Sequence, residues 1–487
     1  MTALFTPRLQ DIIRDTHRSL LDRIEPDGYA ATSLTGAYPG MYARDSAIHA
    51  MALLRTGHTG RARAILWYIA GHSALLELQR APQVLLRPDS TTSSFSVDLQ
   101  SGGGRLSAEF DSSRPIAGVV LECRDPFATA NVTVRNLTSG QSSQTRVKRE
   151  EHNVRPLSRI APSASIQDAR YQVHVSVPGD AGLTGAKLRV VVAQQDRPIM
   201  LDQPDGNYMF VLAWARYVVA QPNDIAFITD TLPVVAAFAD YYLTPTYWDE
   251  ERNLLRNPCL EHSRNLRFWS TLDLITNVFL SQALHELAYV TQEVLPTQAQ
   301  RWRRISEQVR SGIDGSLVAK SPRGSRQYAE LIDRDHGDKF YVGYSWVNFA
   351  TIAANWYASD SRLERETYDA YLEEASSMWG DHRMLRAYDD VVAATGEDEV
   401  IGKGLAWEIR LAQKLGRADR VRSLLAFIEE RTPGTIFAES YYPHHVSDGG
   451  NQEQAAWFIH ELACAFPADI ARLCGASNSN SEGTTAA

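Results

Sequence analysis

The sequence predicts a mainly α-helical fold, an (α/α)6 toroid of six helical hairpins with an inserted all-β, sandwich-like domain. Three observations predict it. Apolar residues recur at three-and-four spacing over residues 6–79 and again from 200 to about 474, the periodicity of amphipathic helices. Residues 82–197 instead carry short alternating runs, SSFSVDL, GVVLECR, NVTVRNL, YQVHVSV and AKLRVVV, the pattern of half-buried strands. Short links such as RTGHTG, QPND and GRAD join helices in pairs, while the links between pairs are longer and hold aromatics and carboxylates.

In chain order, the first part of the helical domain, residues 1–80, holds candidate helices near 7–24, 43–57 and 60–76. Residues 81–198 form the β domain, in which SGGGRL and PGDAGLTG read as turns. Half-buried strands of this kind pack as a sandwich. The remainder of the helical domain, 199–474, holds candidates near 207–220, 224–242, 271–291, 297–312, 345–358, 361–378, 400–414, 418–430 and 451–465. Twelve antiparallel helices in six hairpins suggest an inner and an outer ring, with the long loops gathered at one end. A straight solenoid would be supported by a fixed-period repeat, and none is evident. The tail, residues 475–487 (GASNSNSEGTTAA), is small and polar and is expected to be disordered.

Composition narrows the function classes. With 49 basic against 58 acidic residues the net charge is −9, and neither a basic run nor a basic stripe appears, which argues against nucleic acid or an anionic membrane as partner. No window approaches a membrane span, and the N-terminus lacks the apolar stretch of a signal peptide, so a cytoplasmic location is expected. Cys123, Cys259, Cys464 and Cys474 are far apart and fit neither a zinc site nor a disulfide scaffold. No metal or other cofactor is expected, and no oligomer is indicated.

The long loops carry the chemistry. GAYPGMYARDSAIHAM sets Tyr42, Arg44 and Asp45 at the start of a helix, and LDQPDGNYMF repeats the arrangement with Asp202 and Asp205. Carboxylates suit helix N-termini on their own account. Beside aromatics they also grip a polyol, since carboxylates accept hydroxyl hydrogen bonds while aromatic faces cover C–H surfaces. RNPCLEHSRNLRFWSTLDL contributes Glu261, Arg264, Arg267, Trp269 and Asp273; FYVGYSWVNF contributes Tyr344 and Trp346; VIGKGLAWEIR contributes Lys403, Trp407, Glu408 and Arg410. Glu408 and Arg410 read most simply as a paired helix surface. In IFAESYYPHHVSDGGNQEQAAWF, Glu453 reads as a first-turn residue ahead of Trp457, whereas Glu439 stands outside any helix.

The ordered set Tyr42-Ala43-Arg44-Asp45, Gln203-Pro204-Asp205-Gly206 and Phe437-Ala438-Glu439-Ser440, then Ser447-Asp448-Gly449 and the Trp457 helix, resembles the inner-helix loops of the six-hairpin glycosidases, above all the glucoamylase family and its inverting relatives. The resemblance spans the helical blocks and leaves out the β block. It implies that Arg44 and Asp45 hold the non-reducing sugar, that Glu261 is the general acid and that Glu439 is the general base. The sequence departs from the family in lacking its Trp-Glu-Glu around Glu261 and in placing the β block within the helical domain. Asp205 or Asp273 could therefore take the acid's place.

The residue inventory suits this chemistry by itself. Hydrolysis of a glycoside needs one protonated carboxyl to protonate the leaving oxygen and one carboxylate to activate water or attack carbon. Tyr42, Arg44, Asp45, Asp205, Arg264, Tyr344, Trp346, Lys403, Trp407 and Trp457 are the candidate substrate contacts. The expected partner is a small carbohydrate, such as an α-glucoside. Three other readings stay open: a phosphorylase whose anion site draws on His444, His445 or Lys403, a polysaccharide lyase with a Tyr or His base, and a noncatalytic carbohydrate-binding protein.

Overall fold

The computed structural model describes residues 4–33, 41–72, the strands between 93 and 200, 204–257 and 271–475, apart from 246, 321–323, 334–338, 342–343, 388–397 and 448. The helices are α1 (Pro7–Asp22), α2 (Ala43–Arg55), α3 (Thr59–His72), α4 (Pro204–Ala220), α5 (Ile225–Asp240), α6 (Leu274–Thr291) and α7 (Pro296–Ser316), then α8 (Ala350–Ala354), α9 (Ser361–Glu374), α10 (Gly402–Lys414), α11 (Ala418–Arg431), α12 (Gln452–Ala465) and α13 (Pro467–Cys474). None of the described helices is long and apolar enough to cross a membrane.

Helix starts follow local chemistry. The Thr6 hydroxyl accepts from Leu9 N–H and Pro7 fills the first turn of α1, where no backbone donor is needed. Asp224 caps α5, and Arg63 fastens it at 2.5 Å. Asp273 caps α6 through Thr276 N–H at 2.7 Å.

Burial separates two classes of helix. In α4, 14 of 17 residues are buried, whereas in α7 only Ala299, Trp302, Ser306, Val309, Gly312 and Ile313 are; an all-round buried helix belongs inside and a one-striped helix outside. The inside helices pack in a cycle: α2 on α4, α4 on α6, α6 on α8 and the turn before it, these on α10, α10 on α12, and α12 back on α2. Around them α3 covers α2, α5 covers α4, α7 covers α6 and α11 covers α10, while α1, from the other end of the chain, covers α12. Two glycines permit close approach: a Cβ on Gly402 would meet Ala438 O at 2.5 Å, and one on Gly404 would meet Trp346 Cβ at 2.8 Å.

The β region comprises β1 (Met41–Tyr42), β2 (Ser93–Asp98), β3 (Gln100–Gly102), β4 (Arg105–Ser112), β5 (Ile116–Glu122), β6 (Thr129–Asn136), β7 (Ser142–Lys148), β8 (Val154–Pro156), β9 (Ala169–Ser176), β10 (Lys187–Val192) and β11 (Ile199–Met200). Two antiparallel sheets result, ordered β2-β10-β5-β8 and β3-β4-β9-β6-β7. In β9, Ala169, Tyr171, Val173 and Val175 are buried and alternate with more exposed residues, which is the period of a sheet with one covered face. The parallel pair β1–β11, Met41 opposite Ile199 and Tyr42 opposite Met200, brings the chain back to its point of departure.

Three expectations are corrected. The helix expected at 345–358 is a 3-10 turn, Trp346–Phe349, followed by the five residues of α8. Its start is diverted because Ser345 and Asn348 form a capping box, and its end because Asn355 turns left-handed at φ 54°. The helix expected from 271 starts at Leu274, because Thr271–Asp273 is drawn into a strand against Leu331–Asp333. The helix expected at 361–378 ends at Glu374, because Ser376–Trp379 is drawn into a strand against His382–Leu385. The expected tail lies outside the described residues beyond Gly475.

Candidate functional site

The N-terminal ends of α2, α4, α10 and α12 meet, and their first-turn residues form a buried polar cluster. Arg44, at the start of α2, stands 3.5 Å from Asp45, 3.8 Å from Asp205 on α4 and 3.5 Å from Glu453 on α12. All three carboxylates are buried. Positive helix ends favour carboxylates there, and burial makes the shared guanidinium necessary, because an unpaired buried charge is costly.

Lys403, in the first turn of α10, completes the cluster. Its ammonium reaches Glu453 at 2.9 and 3.1 Å and lies 4.3 Å from the centre of the Trp346 ring, while its backbone N–H donates to Gln454 at 2.6 Å. Burial alone would push Glu453 up, but Lys403 and then Arg44 outweigh it and hold the carboxyl below its ordinary range. Asp273 behaves oppositely: burial, with the Asp205 charge adding to it, pushes its pKa up to about 7 against the hydrogen bonds from Thr276.

Glu439 lies on the loop that runs beside the start of α10. Phe437 anchors this loop by stacking on Phe458, with ring centres 4.2 Å apart, and Ala438 bridges Gly449. Gly402 N–H donates to Glu439 O at 2.7 Å, and Ser440 is tied to Glu399 at 2.6 Å and to Ser447 at 2.8 Å. The backbone on both sides of Glu439 is thus fixed, while its side chain is half-buried. The Tyr442 hydroxyl is pushed up to about 12 by burial and the nearby Glu399 and Glu439 carboxylates. His444 and His445 sit in the exposed part of this loop.

Of the candidate residues, Tyr42, Arg44, Asp45, Asp205, Trp346 and Lys403 come together at this end of the ring. Tyr344 is buried and stacks on Tyr371 at 5.4 Å. Trp407 and Trp457 are wholly buried and meet edge to face at 5.0 Å, with Trp346 tilted against Trp407 at 5.4 Å. Glu261 and Arg264, with Arg267, Trp269, Asp202, Gln203 and Asp448, lie outside the described residues. Glu408 and Arg410 do not pair with each other, which corrects the expectation of a paired helix surface: Glu408 binds Arg420 and Tyr368, while Arg410 binds Glu461. Glu453 is the central residue whose weight the sequence reading underestimated. The available signal was that α2, α4 and α12 all carry a carboxylate in the first turn.

A metal could be sought at His460, Glu461 and Cys464, whose ligand atoms lie within 4.8 Å of one another. The chemistry does not fit. Arg410 already holds Glu461 at 2.9 Å, and a cation there would face that guanidinium.

No family model matches the chain, and no curated protein matches it in sequence. Among solved structures, one named a glycosidase is similar over 96% of this chain and 97% of its own, with a TM-score of 0.57 at 11% identity. Another variant of a glycosidase, solved in complex with glucose, gives the same coverage, identity and score. A GH63 mannosylglycerate hydrolase from Thermus thermophilus, also in complex with glucose, is similar over 92% of this chain and 99% of its own, with a TM-score of 0.50 at 13% identity. The chain shares the fold of these glycosidases.

Proposed function

We propose that the protein is an inverting glycoside hydrolase on an (α/α)6 toroid carrying a β-sandwich insertion at 81–198, and that it cleaves an exo-glycosidic, α-glucosidic bond of a small oligosaccharide or glycoside. The observation that carries this reading is Arg44 set among Asp45, Asp205 and Glu453 at the converging helix starts, at 3.5 to 3.8 Å. Carboxylates accept hydroxyl hydrogen bonds, so a buried cluster of this composition suits a sugar's hydroxyls.

In this reading Arg44 and Asp45 bind the terminal sugar, and the buried Trp346 supports Lys403 from below. Glu439 is the general base: it takes a proton from a water, whose oxygen attacks the anomeric carbon. Glu261 is the general acid, which gives its proton to the leaving oxygen as the glycosidic bond breaks. Inversion calls for roughly 6.5–9.5 Å between these two carboxyls, room for one water. The glucose held by two of the similar structures supports a glucosyl unit, and the mannosylglycerate hydrolase among them supports a small glycoside over a polymer. We read the enzyme as cytoplasmic and without a cofactor.

A phosphorylase would need an anion site, and Arg44 and Lys403 are its natural cations. Both already face carboxylates, Arg44 those of Asp45, Asp205 and Glu453 and Lys403 that of Glu453, which favours hydrolysis. Proton NMR of sugar released from a panel of α-glucosides tests the proposal. Inverted product that disappears in both Glu439→Gln and Glu261→Gln is expected. Turnover that requires phosphate, or survives Glu439→Gln, would overturn it.

A further inference from the structure

We propose that Glu399 is a positioning residue for the general base: its carboxylate clasps Ser440 and Tyr442 and so holds the loop that presents Glu439. The inference deepens the hydrolase reading and rests on it, because Glu439 has its role only there.

One oxygen makes both contacts. Oε1 of Glu399 accepts from the Ser440 hydroxyl at 2.6 Å and from the Tyr442 hydroxyl at 3.3 Å. The first lies in the short range of a hydroxyl donating to a carboxylate. Glu399 forms no ion pair among the described residues. Its charge is met instead by these two hydroxyls, both on the loop of Glu439.

Strand register brings the three residues together. Val400–Ile401 runs antiparallel to Ser440–Tyr441, with Val400 opposite Tyr441 and Ile401 opposite Ser440. Continued by one residue, this register sets Glu399 opposite Tyr442, and the strand period of two puts Ser440 on the same side. Tyr441, between them, is wholly buried against Phe427 and Phe437, with ring centres at 5.4 and 5.8 Å, and its hydroxyl bonds that of Thr432 at 3.0 Å. The core thus holds one side of the loop and Glu399 the other. A two-stranded ribbon as short as this one is marginal by its backbone alone, so the side-chain clasp matters. At the near end Gly402 N–H donates to Glu439 O at 2.7 Å, and residues 399–402 therefore grip 439–442 by a backbone bond at Glu439 and by the carboxylate beyond it. Glu399 is itself anchored, because its carbonyl accepts from Ala387 N–H at 2.6 Å, and Ala387 O accepts from Trp346 N–H at 3.4 Å. A general base must keep its water within hydrogen-bond reach, and a displacement of about 1 Å is enough to lose most of the rate.

The test follows two readouts in the full-length protein. Hydrogen exchange of the segments 399–404 and 436–447 should accelerate by on the order of tenfold in Glu399→Ala, as the paired segments open more often. It should stay near the wild-type rate in Glu399→Gln, whose amide oxygen accepts the same hydroxyls. With an α-glucoside as substrate, Glu399→Ala should lower kcat by on the order of 10²-fold with KM nearly unchanged, and Glu399→Gln should recover most of that loss. A residue that only stabilised the fold would lower the thermal midpoint and leave the kcat of the folded fraction intact, and that result overturns the proposal. Unchanged exchange in Glu399→Ala overturns it as well. Should Glu399→Ala fail to fold, the double variant Ser440→Ala, Tyr442→Phe removes the two hydroxyls and keeps the carboxylate. It should show the same fall in kcat, and an unchanged kcat overturns the proposal. If the wild type hydrolyses no glycoside while the loop loosens in Glu399→Ala and not in Glu399→Gln, the hydrolase reading fails and the clasp stands.

Discussion

At the N-terminal end of the inside helices one guanidinium, Arg44, stands 3.5 to 3.8 Å from three buried carboxylates. Towards the C-terminal end two arginines each join one carboxylate to a backbone carbonyl. Arg216 meets Glu286 at 3.2 Å and Ala354 O at 2.8 Å, and Arg410 meets Glu461 and Ile352 O, both at 2.9 Å. The last carbonyls of a helix lack partners and carry negative partial charge, so arginine satisfies them and the dipole together. Both ends thus pair cations with carboxylates and differ in the sharing: at the N-terminal end one guanidinium faces three carboxylates, while at the C-terminal end each arginine also meets a helix carbonyl.

The largest expected effect lies beside the N-terminal end. Glu439→Gln should lower kcat by roughly 10²–10⁴-fold, the usual worth of a general base, with the thermal midpoint nearly unchanged. At the other end the balance should reverse. Arg410→Met strands the wholly buried Glu461 and is expected to cost about 3–5 kcal/mol in denaturant unfolding, with kcat of the folded fraction retained.

Arg44→Met sharpens the contrast, since Lys403 still serves Glu453. It should raise KM at least tenfold, on the order of 1.4 kcal/mol of binding, and cost less stability than Arg410→Met. Gly402→Ala would drive a methyl into Ala438 O. It is expected to cost about 1–3 kcal/mol and to lower kcat as well, because Gly402 N–H supports Glu439 O.

The smallest effect is in acid. Burial pushes Glu461 up, but Arg410 and His460 outweigh it and hold its pKa below the ordinary value of 4.5. A lowered folded pKa contributes stability above the unfolded value that is lost as pH falls through the folded one. The deficit of Arg410→Met against wild type should therefore shrink as unfolding is followed from neutral pH to below about 4. A deficit that stayed constant would mean that the pair is not what Arg410 contributes.

Much of this was legible in the chain. Helices α2, α3, α10, α11 and α12 fall within a few residues of their expected positions, because their apolar faces repeat with helical period and their caps are local. Arg44, Asp45 and Asp205 were recognisable as a group from repeated wording at two helix starts. Glu453 was not, because a first-turn glutamate is ordinary until Arg44, 409 positions earlier, is brought to it. The region around Trp346 was misjudged for a related reason: a buried Asn348 that bonds Ser345 N and Tyr328 O breaks a helix whose apolar pattern is intact.

By itself, then, the sequence determined most of the long helices, the strand-rich block, and which loops hold carboxylates and aromatics, since periodicity and capping act over a few residues. Tertiary structure alone decided that α1 covers α12, that the starts of α2, α4, α10 and α12 converge, and which carboxylate receives which cation. Those outcomes depend on contacts between residues hundreds of positions apart and on burial, which turns ordinary first-turn acids into a cluster where charge must be shared.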